Sequence, residues 1–281
     1  MVKKASREGF TLVELSFAMV FISLLSLAIV LIIINTISSY RRGITLTEVN
    51  SVGTQLIDEL RVAIQNSSTK SVEDLCKMNY SKDIEIETCK KSGAYYYRRE
   101  TASIKMPGKN TDTTGLPVYG AFCTGTYSYV WNSGYYYMDG AEVKKAKASV
   151  SYKDENGVER SIGDYRFLRI KDETRQICIK GVTNNVFDIK DGAYISEEPE
   201  EMLASSNMNN LAVYDLKVAK PAEGASKNNL FYSGWIILGT TTGGPSINSG
   251  TKCAKPDDAE ANFDFCAINR FSFAAQASGE K

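Results

Sequence analysis

Among 281 residues there is no histidine. Its absence removes serine–histidine and cysteine–histidine nucleophilic pairs, together with the usual imidazole-containing zinc sites. It therefore weighs against an enzyme. An excess of charge is missing too, since 33 basic side chains face 33 acidic ones. That balance does not mark the bulk of the chain as a nucleic-acid binder, although a local basic patch stays open. Six cysteines occur without a Cys-x-x-Cys pair, which argues against a metal cluster or a thioredoxin-like redox site. The most consequential gap is local: from Leu15 through Tyr40 no side chain is charged.

That charge-free run is about 26 residues long, more than the roughly 20 needed to cross a bilayer as a helix. Lys3, Lys4 and Arg7 precede it, so its start is expected to stay cytoplasmic. A cleavable secretory signal has an apolar core of only about 7–15 residues followed by a small-residue site. Here the core is longer, and the small residue, Gly9, stands in front of it. The segment is therefore expected to remain as an anchor. Glu14 lies at its edge, and an ionised carboxylate within a membrane helix costs about 3 kcal/mol unless it finds a partner. A cut after Gly9 would place a new α-amino group on Phe10, about one helical turn before Glu14.

Glu8-Gly9-Phe10-Thr11-Leu12-Val13-Glu14-Leu15, followed by the apolar run, resembles the class III signal of type IV pilins and type II secretion pseudopilins. The resemblance implies cleavage between Gly9 and Phe10 by a prepilin peptidase, N-methylation of Phe10, and a role for Glu14 in docking subunits. It also implies several partners: other pilin subunits, the peptidase, an inner-membrane assembly platform, and membrane lipid before assembly. Localisation would follow: first a single-pass membrane protein with a cytoplasmic N-terminus and an extracytoplasmic head, then a cell-surface filament. The octet and the run behind it carry the whole resemblance. Further along, the likeness to larger pseudopilins and minor pilins is architectural. The expected work is assembly rather than catalysis, with no cofactor and no metal.

Cys76, Cys89, Cys123, Cys178, Cys253 and Cys266 all follow the apolar segment. An exported, oxidising location makes disulfides the leading reading and free thiols the alternative. Six cysteines allow 15 connectivities. Cys76 with Cys89 and Cys253 with Cys266 would close short loops, leaving Cys123 for Cys178.

Four segments are expected. Residues 1–9 form a leader, 10–40 a transmembrane or filament-core helix, 41–66 an amphipathic extension, and 67–281 an extracytoplasmic β-rich head. Past Arg41 and Arg42, which suit membrane headgroups or a subunit contact, Ile44, Val49, Val52, Leu56, Leu60 and Ala63 or Ile64 recur at helical spacing. Asn66-Ser67-Ser68 looks like the end of the helix, which would be roughly 84 Å long. Gly43 and Gly53 are weak points that would mark a bend. Ser71–Leu75 reads as a short helix.

From Gly93 onward, aromatic and β-branched runs alternate with turn residues. Strands are predicted over 94–98, 118–131, 135–138, 146–152, 165–170, 176–180, 211–218, 230–238, 264–269 and 270–275, with a hairpin turn at Asn156-Gly157. Glu197–Glu201 reads as a solvated acidic turn able to open a short helix, Gly239–Lys255 as a loop, and the tail from Gln276 as frayed. The fold class is α+β: a long N-terminal membrane-spanning helix packed on a mostly antiparallel β-sheet head.

Several motifs invite chemistry. Gly239–Gly244 lacks the Gly-Lys-Ser/Thr ending of a phosphate loop and reads as a surface loop. The Asp154–Gly157 and Asp188–Gly192 runs lack the distal glutamate of a calcium loop and read as turns. Asp257-Asp258, between Cys253 and Cys266, would be an exposed acidic feature if those cysteines are bridged. The clusters Tyr95-Tyr96-Tyr97-Arg98-Arg99 and Tyr135-Tyr136-Tyr137 suit strands, or else stacking on single-stranded nucleic acid or sugars. Tyr96 and Tyr136 are thus the candidate surface-recognition residues for the competing function, a membrane-anchored tip adhesin or DNA-uptake module.

Overall fold

The computed structural model describes residues 11–67, 72–92, 95–100, 104–105, 112–113, 117–133, 136–139, 142–145, 148–163, 165–173, 175–183, 186–188, 195, 197–203, 210–219, 230–241 and 267–278. It is an α+β structure in which a long apolar N-terminal helix leads into a set of largely antiparallel sheets.

Helix α1 (Leu12–Gln65) begins at Thr11 and ends at Asn66. It divides by environment. From Leu12 to Ile37, 18 large apolar side chains are exposed, and the first buried residues are Thr45 and Val49. Beyond these, Leu56, Ile57, Leu60, Ala63 and Ile64 are buried and Val52 is half-buried. The expected stripe is present, but Ile44 stays exposed. The helix also runs unbroken through both glycines. At Gly53 the reason is packing, because a Cβ there would lie 2.2 Å from the Phe271 ring, which rests on the bare helix backbone. Nothing lies within 4 Å of the same position at Gly43. Gly53→Ala is therefore expected to lower the stability of the full chain by about 1–3 kcal/mol through overpacking. Gly43→Ala should raise it by about 1 kcal/mol through helix propensity. Thermal unfolding of the detergent-solubilised protein reads both, and equal effects of the two changes would contradict the packing account.

Helices α2 (Val72–Asn79) and α3 (Asp83–Ser92) form a pair tied by Cys76–Cys89, with a Cα–Cα distance of 5.8 Å. The strands that follow are β1 (Tyr96–Glu100), β2 (Ile104–Lys105), β3 (Asp112–Thr113), β4 (Pro117–Cys123), β5 (Tyr127–Asn132), β6 (Tyr136–Asp139), β7 (Glu142–Lys145), β8 (Ser149–Lys153), β9 (Glu159–Ile162) and β10 (Phe167–Lys171). Helix α4 (Gln176–Lys180) precedes β11 (Val182–Thr183), β12 (Val186–Asp188), β13 (Glu200–Glu201), β14 (Asn210–Ala219), β15 (Leu230–Thr241) and β16 (Ile268–Ala277). They form four sheets, ordered β1-β4-β5-β10-β13, β11-β12-β8-β9, β14-β15-β16 and β3-β2-β6-β7. All the strand pairs are antiparallel except β12 with β8.

The five-stranded sheet is buried on both faces. Phe122, Tyr129, Trp131 and Phe167 join Leu56, Leu60 and Ile64 of α1 in one core. Tyr119, Ala121, Val130, Leu168 and Ile170 point the other way, toward Val150, Phe187 and Ile177. The three-stranded sheet shares the first core through Leu216, Tyr232, Ile236 and Phe273. Strand β16 lies alongside α1, from Asn269 Nδ2 donating to Asn50 Oδ1 at 2.7 Å to Ser278 N donating to the Gln65 carbonyl at 3.1 Å.

Burial on both faces explains one correction. The run 118–131 reads as one strand because strands buried on both sides lack polar alternation. The structure splits it into β4 and β5 at a turn where Gly125 takes φ +96°. A second correction concerns 176–180, which is helix α4 rather than a strand. Ile177, Cys178 and Ile179 are all buried, so no alternation is visible. The Asp172 carboxylate starts the turn by accepting from the backbone N–H groups of Gln176 and Ile177. Third, 264–269 and 270–275 are not separate strands: β16 runs continuously from Ile268, and residues 264–266 lie outside the described residues. The tail is not frayed at Gln276, because β16 reaches Ala277 and Ser278 is held on Gln65. Gly239, Thr240 and Thr241 end β15, while the rest of the expected loop lies outside the described residues.

Candidate functional site

The N-terminal turn of α1 carries the residue of greatest interest. Its first N–H groups have no helical partners, and a side-chain oxygen at the cap can satisfy them. Thr11 and Glu14 do this reciprocally. Glu14 N donates to Thr11 Oγ1 at 3.3 Å, while Thr11 N and Thr11 Oγ1 both donate to Glu14 Oε2 at 2.9 Å. This is a capping box. The Glu14 carboxylate therefore has donors at the start of its own helix, and it stands at the edge of an apolar surface that no described part of the chain covers. Gly9 and Phe10 lie outside the described residues.

By length and composition α1 is a candidate membrane span. Every described side chain from Leu12 to Ile44 is exposed, over roughly 50 Å of helix, longer than the ~30 Å hydrocarbon core. Each large apolar side chain taken out of water contributes about 1.5–3 kcal/mol. With 18 of them side by side, lipid or other helices are the natural surroundings.

No family model matches this chain, and neither does any curated protein or solved structure.

The second half of α1 is fastened to the head by charge as well as by packing. Glu59 Oε1 accepts from Arg169 Nη1 at 2.7 Å and from the Tyr129 hydroxyl at 3.0 Å. Arg169 Nη2 reaches Glu200 Oε2 at 2.6 Å, its guanidinium lies 5.0 Å from the Tyr127 ring, and Lys171 pairs with Glu197 at 2.5 Å. Although burial opposes charge on Arg169, the Glu59 and Glu200 carboxylates hold its pKa above the usual value. The acidic run 197–201 is exposed at Glu197, Glu198 and Glu200 as expected, but it does not open a helix and its acids are partly paired. Glu200 and Glu201 form β13 against β10, and the Glu201 carboxylate accepts from the N–H groups of Arg166 and Phe167. Glu59→Ala would leave the buried Tyr129 hydroxyl without its acceptor. A loss of about 2 kcal/mol is expected, discounted for the part-exposed ion pair. Urea unfolding of the full chain in detergent would check it, and an unchanged midpoint would refute it.

The remaining sequence-predicted residues scatter. Tyr96 is half-buried and its hydroxyl donates to the Leu216 carbonyl at 2.5 Å. Its neighbour Arg98 forms a two-point pair with Asp215 at 2.8 and 2.9 Å and contacts Glu100. Tyr95 is buried with the Arg175 guanidinium 4.7 Å from its ring. The Tyr96 hydroxyl and the Arg98–Asp215 pair thus join β1 to β14. Tyr136 lies in β6 opposite Lys145, and its side chain is outside what the structure describes.

Cys123 and Cys178 are bonded, tying β4 to α4, whereas Cys253 and Cys266 lie outside the described residues. Asp257 and Asp258 do as well. Asp154 Oδ1 accepts from the N–H groups of Asn156 and Val158, and its Oδ2 from Arg160 Nε, so its oxygens serve the β8–β9 turn. Asp188 is in β12. No group of three or more metal-ligating side chains occurs among the described residues.

Sequence reasoning missed Glu59, Arg169 and Asp215. Glu59 adjoins the apolar stripe of α1, which is a weak signal. Its partner is 110 positions away, a separation that only the fold closes.

Proposed function

We propose that the chain is a structural subunit, a minor pilin or pseudopilin, of a type IV pilus-like filament. A prepilin peptidase removes residues 1–9 and Phe10 is N-methylated. The observation that carries this reading is the bare apolar first half of α1, whose single carboxylate, Glu14, sits in the first turn, while the described part of the head packs on the second half. A membrane stores such a helix, and bundling with copies of itself buries the same surface when a fibre forms.

In the free subunit Glu14 is held by Thr11. Once the leader is gone, the new ammonium at Phe10 adjoins this cap. A carboxylate in a low-dielectric bundle needs such a cation, from its own chain or from a neighbour. Head size favours a minor component.

Mass spectrometry of the mature N-terminus is the decisive measurement, and N-methyl-Phe10 is the expected terminus. An intact leader or a cut elsewhere contradicts the proposal. Glu14→Leu should keep the chain in the membrane yet abolish its incorporation into fibres. Wild-type incorporation would remove Glu14 from the mechanism.

A further inference from the structure

The three-stranded sheet has two unlike faces. Tyr232, Ile236 and Leu238 of β15 point into the core shared with α1. The alternate residues Phe231, Ser233, Trp235 and Ile237 lie on the opposite face, and strand pairing fixes their neighbours. Trp235 stands opposite Lys217 on β14 and Ser272 on β16, and Ile237 stands opposite Arg270. Phe231 is 57% exposed, Lys217 and Arg270 are exposed, and Trp235 and Ile237 are half-buried. The Arg270 guanidinium lies 4.6 Å from the Trp235 ring centroid. Among the described residues the carboxylate on this face is Asp215, which is buried and has both oxygens engaged by the Arg98 guanidinium. Arg98 is shared between Asp215 and Glu100 on β1, and among the described residues the charges standing directly beside the aromatic row are the two cations, Lys217 and Arg270.

We propose that this face binds single-stranded nucleic acid, with bases stacking on Phe231 and the Trp235–Arg270 pair and phosphates lying against Lys217 and Arg270. An aromatic row flanked by cations is what a strand with splayed bases requires: flat groups to stack on and counter-charges for its backbone. From Phe231 to Ile237 the row is about 20 Å long. A flat sheet face also lacks the projecting helix or ribbon that reads a duplex groove. A balanced total of 33 basic and 33 acidic side chains conceals a local pair of cations of this kind. The inference deepens the filament reading and rests on it for location: α1 packs on the other face, so a fibre built with its helices inward presents this one to the outside.

The test is fluorescence anisotropy of a labelled thymidine oligonucleotide of about 20 residues, titrated with detergent-solubilised full chain at about 50 and 200 mM salt. Intrinsic fluorescence is read in parallel, with buried Trp131 as the internal reference for Trp235. Saturable binding with partial quenching is expected. Phe231→Ala should weaken binding about tenfold or more, and Phe231→Tyr should restore it. Lys217→Gln should reduce the slope of log K against log salt by about 0.7. Lys153→Gln, on β8, should change neither the slope nor the Phe231 dependence. Phe231 and Lys217 are both exposed, so unchanged thermal unfolding of the variants serves as the fold control. No binding would overturn the proposal, as would binding indifferent to Phe231→Ala. Displacement by a linear anionic polysaccharide with the same Phe231 dependence would overturn it in favour of a sugar-polymer reader. The assay does not depend on leader processing. Failure of the filament reading would show as an intact leader, and failure of this inference as normal processing without binding.

Discussion

Raising the pH from 9 to 11 is expected to unfold the head. Tyr129, Tyr165 and Tyr232 are almost wholly buried, at 0%, 3% and 2% exposure. Burial is the leading cause that pushes each phenol far above its ordinary value near 10. The negative charge of Glu59 adds to this at Tyr129, Tyr119 adds at Tyr165, and Tyr95 adds at Tyr232. A group whose folded pKa is raised contributes stability that is complete below its unfolded pKa and is lost as pH climbs toward the folded one. The unfolded chain releases these protons at about pH 10, whereas the folded chain cannot. At pH 11 each phenol shifts the balance toward unfolding by about 1.4 kcal/mol, so the three together contribute about 4 kcal/mol. That is comparable with the whole stability of a domain, about 5–15 kcal/mol. Tyrosinate absorbance should rise in one cooperative step with loss of near-ultraviolet circular dichroism. Tyr165→Phe, which removes one phenol and keeps the ring, should move the midpoint to higher pH. Smooth titration near pH 10 with an unchanged dichroism spectrum would refute the account.

The second large effect belongs to the Cys123–Cys178 bridge. It joins residues 55 apart in sequence, against 13 for Cys76–Cys89. If the bridge acts mainly by restricting the unfolded chain, the longer loop contributes about 4 kcal/mol and the shorter about 3 kcal/mol. The longer one also pins α4, whose Ile177 fills the core between the five-stranded sheet and β8–β12. Cys123→Ala/Cys178→Ala should therefore lower the urea midpoint more than Cys76→Ala/Cys89→Ala, each measured on the full chain in detergent. The reverse order, or no change on losing the Cys123–Cys178 bridge, would count against this account.

How much of this was legible beforehand depends on the range of the interaction. Helix α1 was readable nearly to its ends because both of its signals, the charge-free run and the apolar stripe, are local. Its cap was missed although Thr11 and Glu14 are only three residues apart, because Glu14 was assigned to an amine rather than to the helix start. The hairpin at Asn156-Gly157 follows from a turn that needs a positive φ, and Gly157 supplies +77°. Spacing suggested the two disulfides that the described residues contain. Helix α4 and the split between β4 and β5 were hidden because burial on all sides erases periodicity. The contacts of Tyr96 and Arg98 were not legible because Leu216 and Asp215 lie on a distant strand.

The amino-acid order by itself determined a capped, uncharged rod with one acid in its first turn, a second half greasy on one side, and a β-rich remainder. Side chains three or four positions apart meet on a helix whatever the rest of the molecule does. The fold alone decided which tyrosines sink into the core, where Glu59 finds Arg169, and which face of β15 is left to solvent. Each of those outcomes depends on segments far apart in the chain being packed together, and burial and charge pairing take their values only after that packing exists.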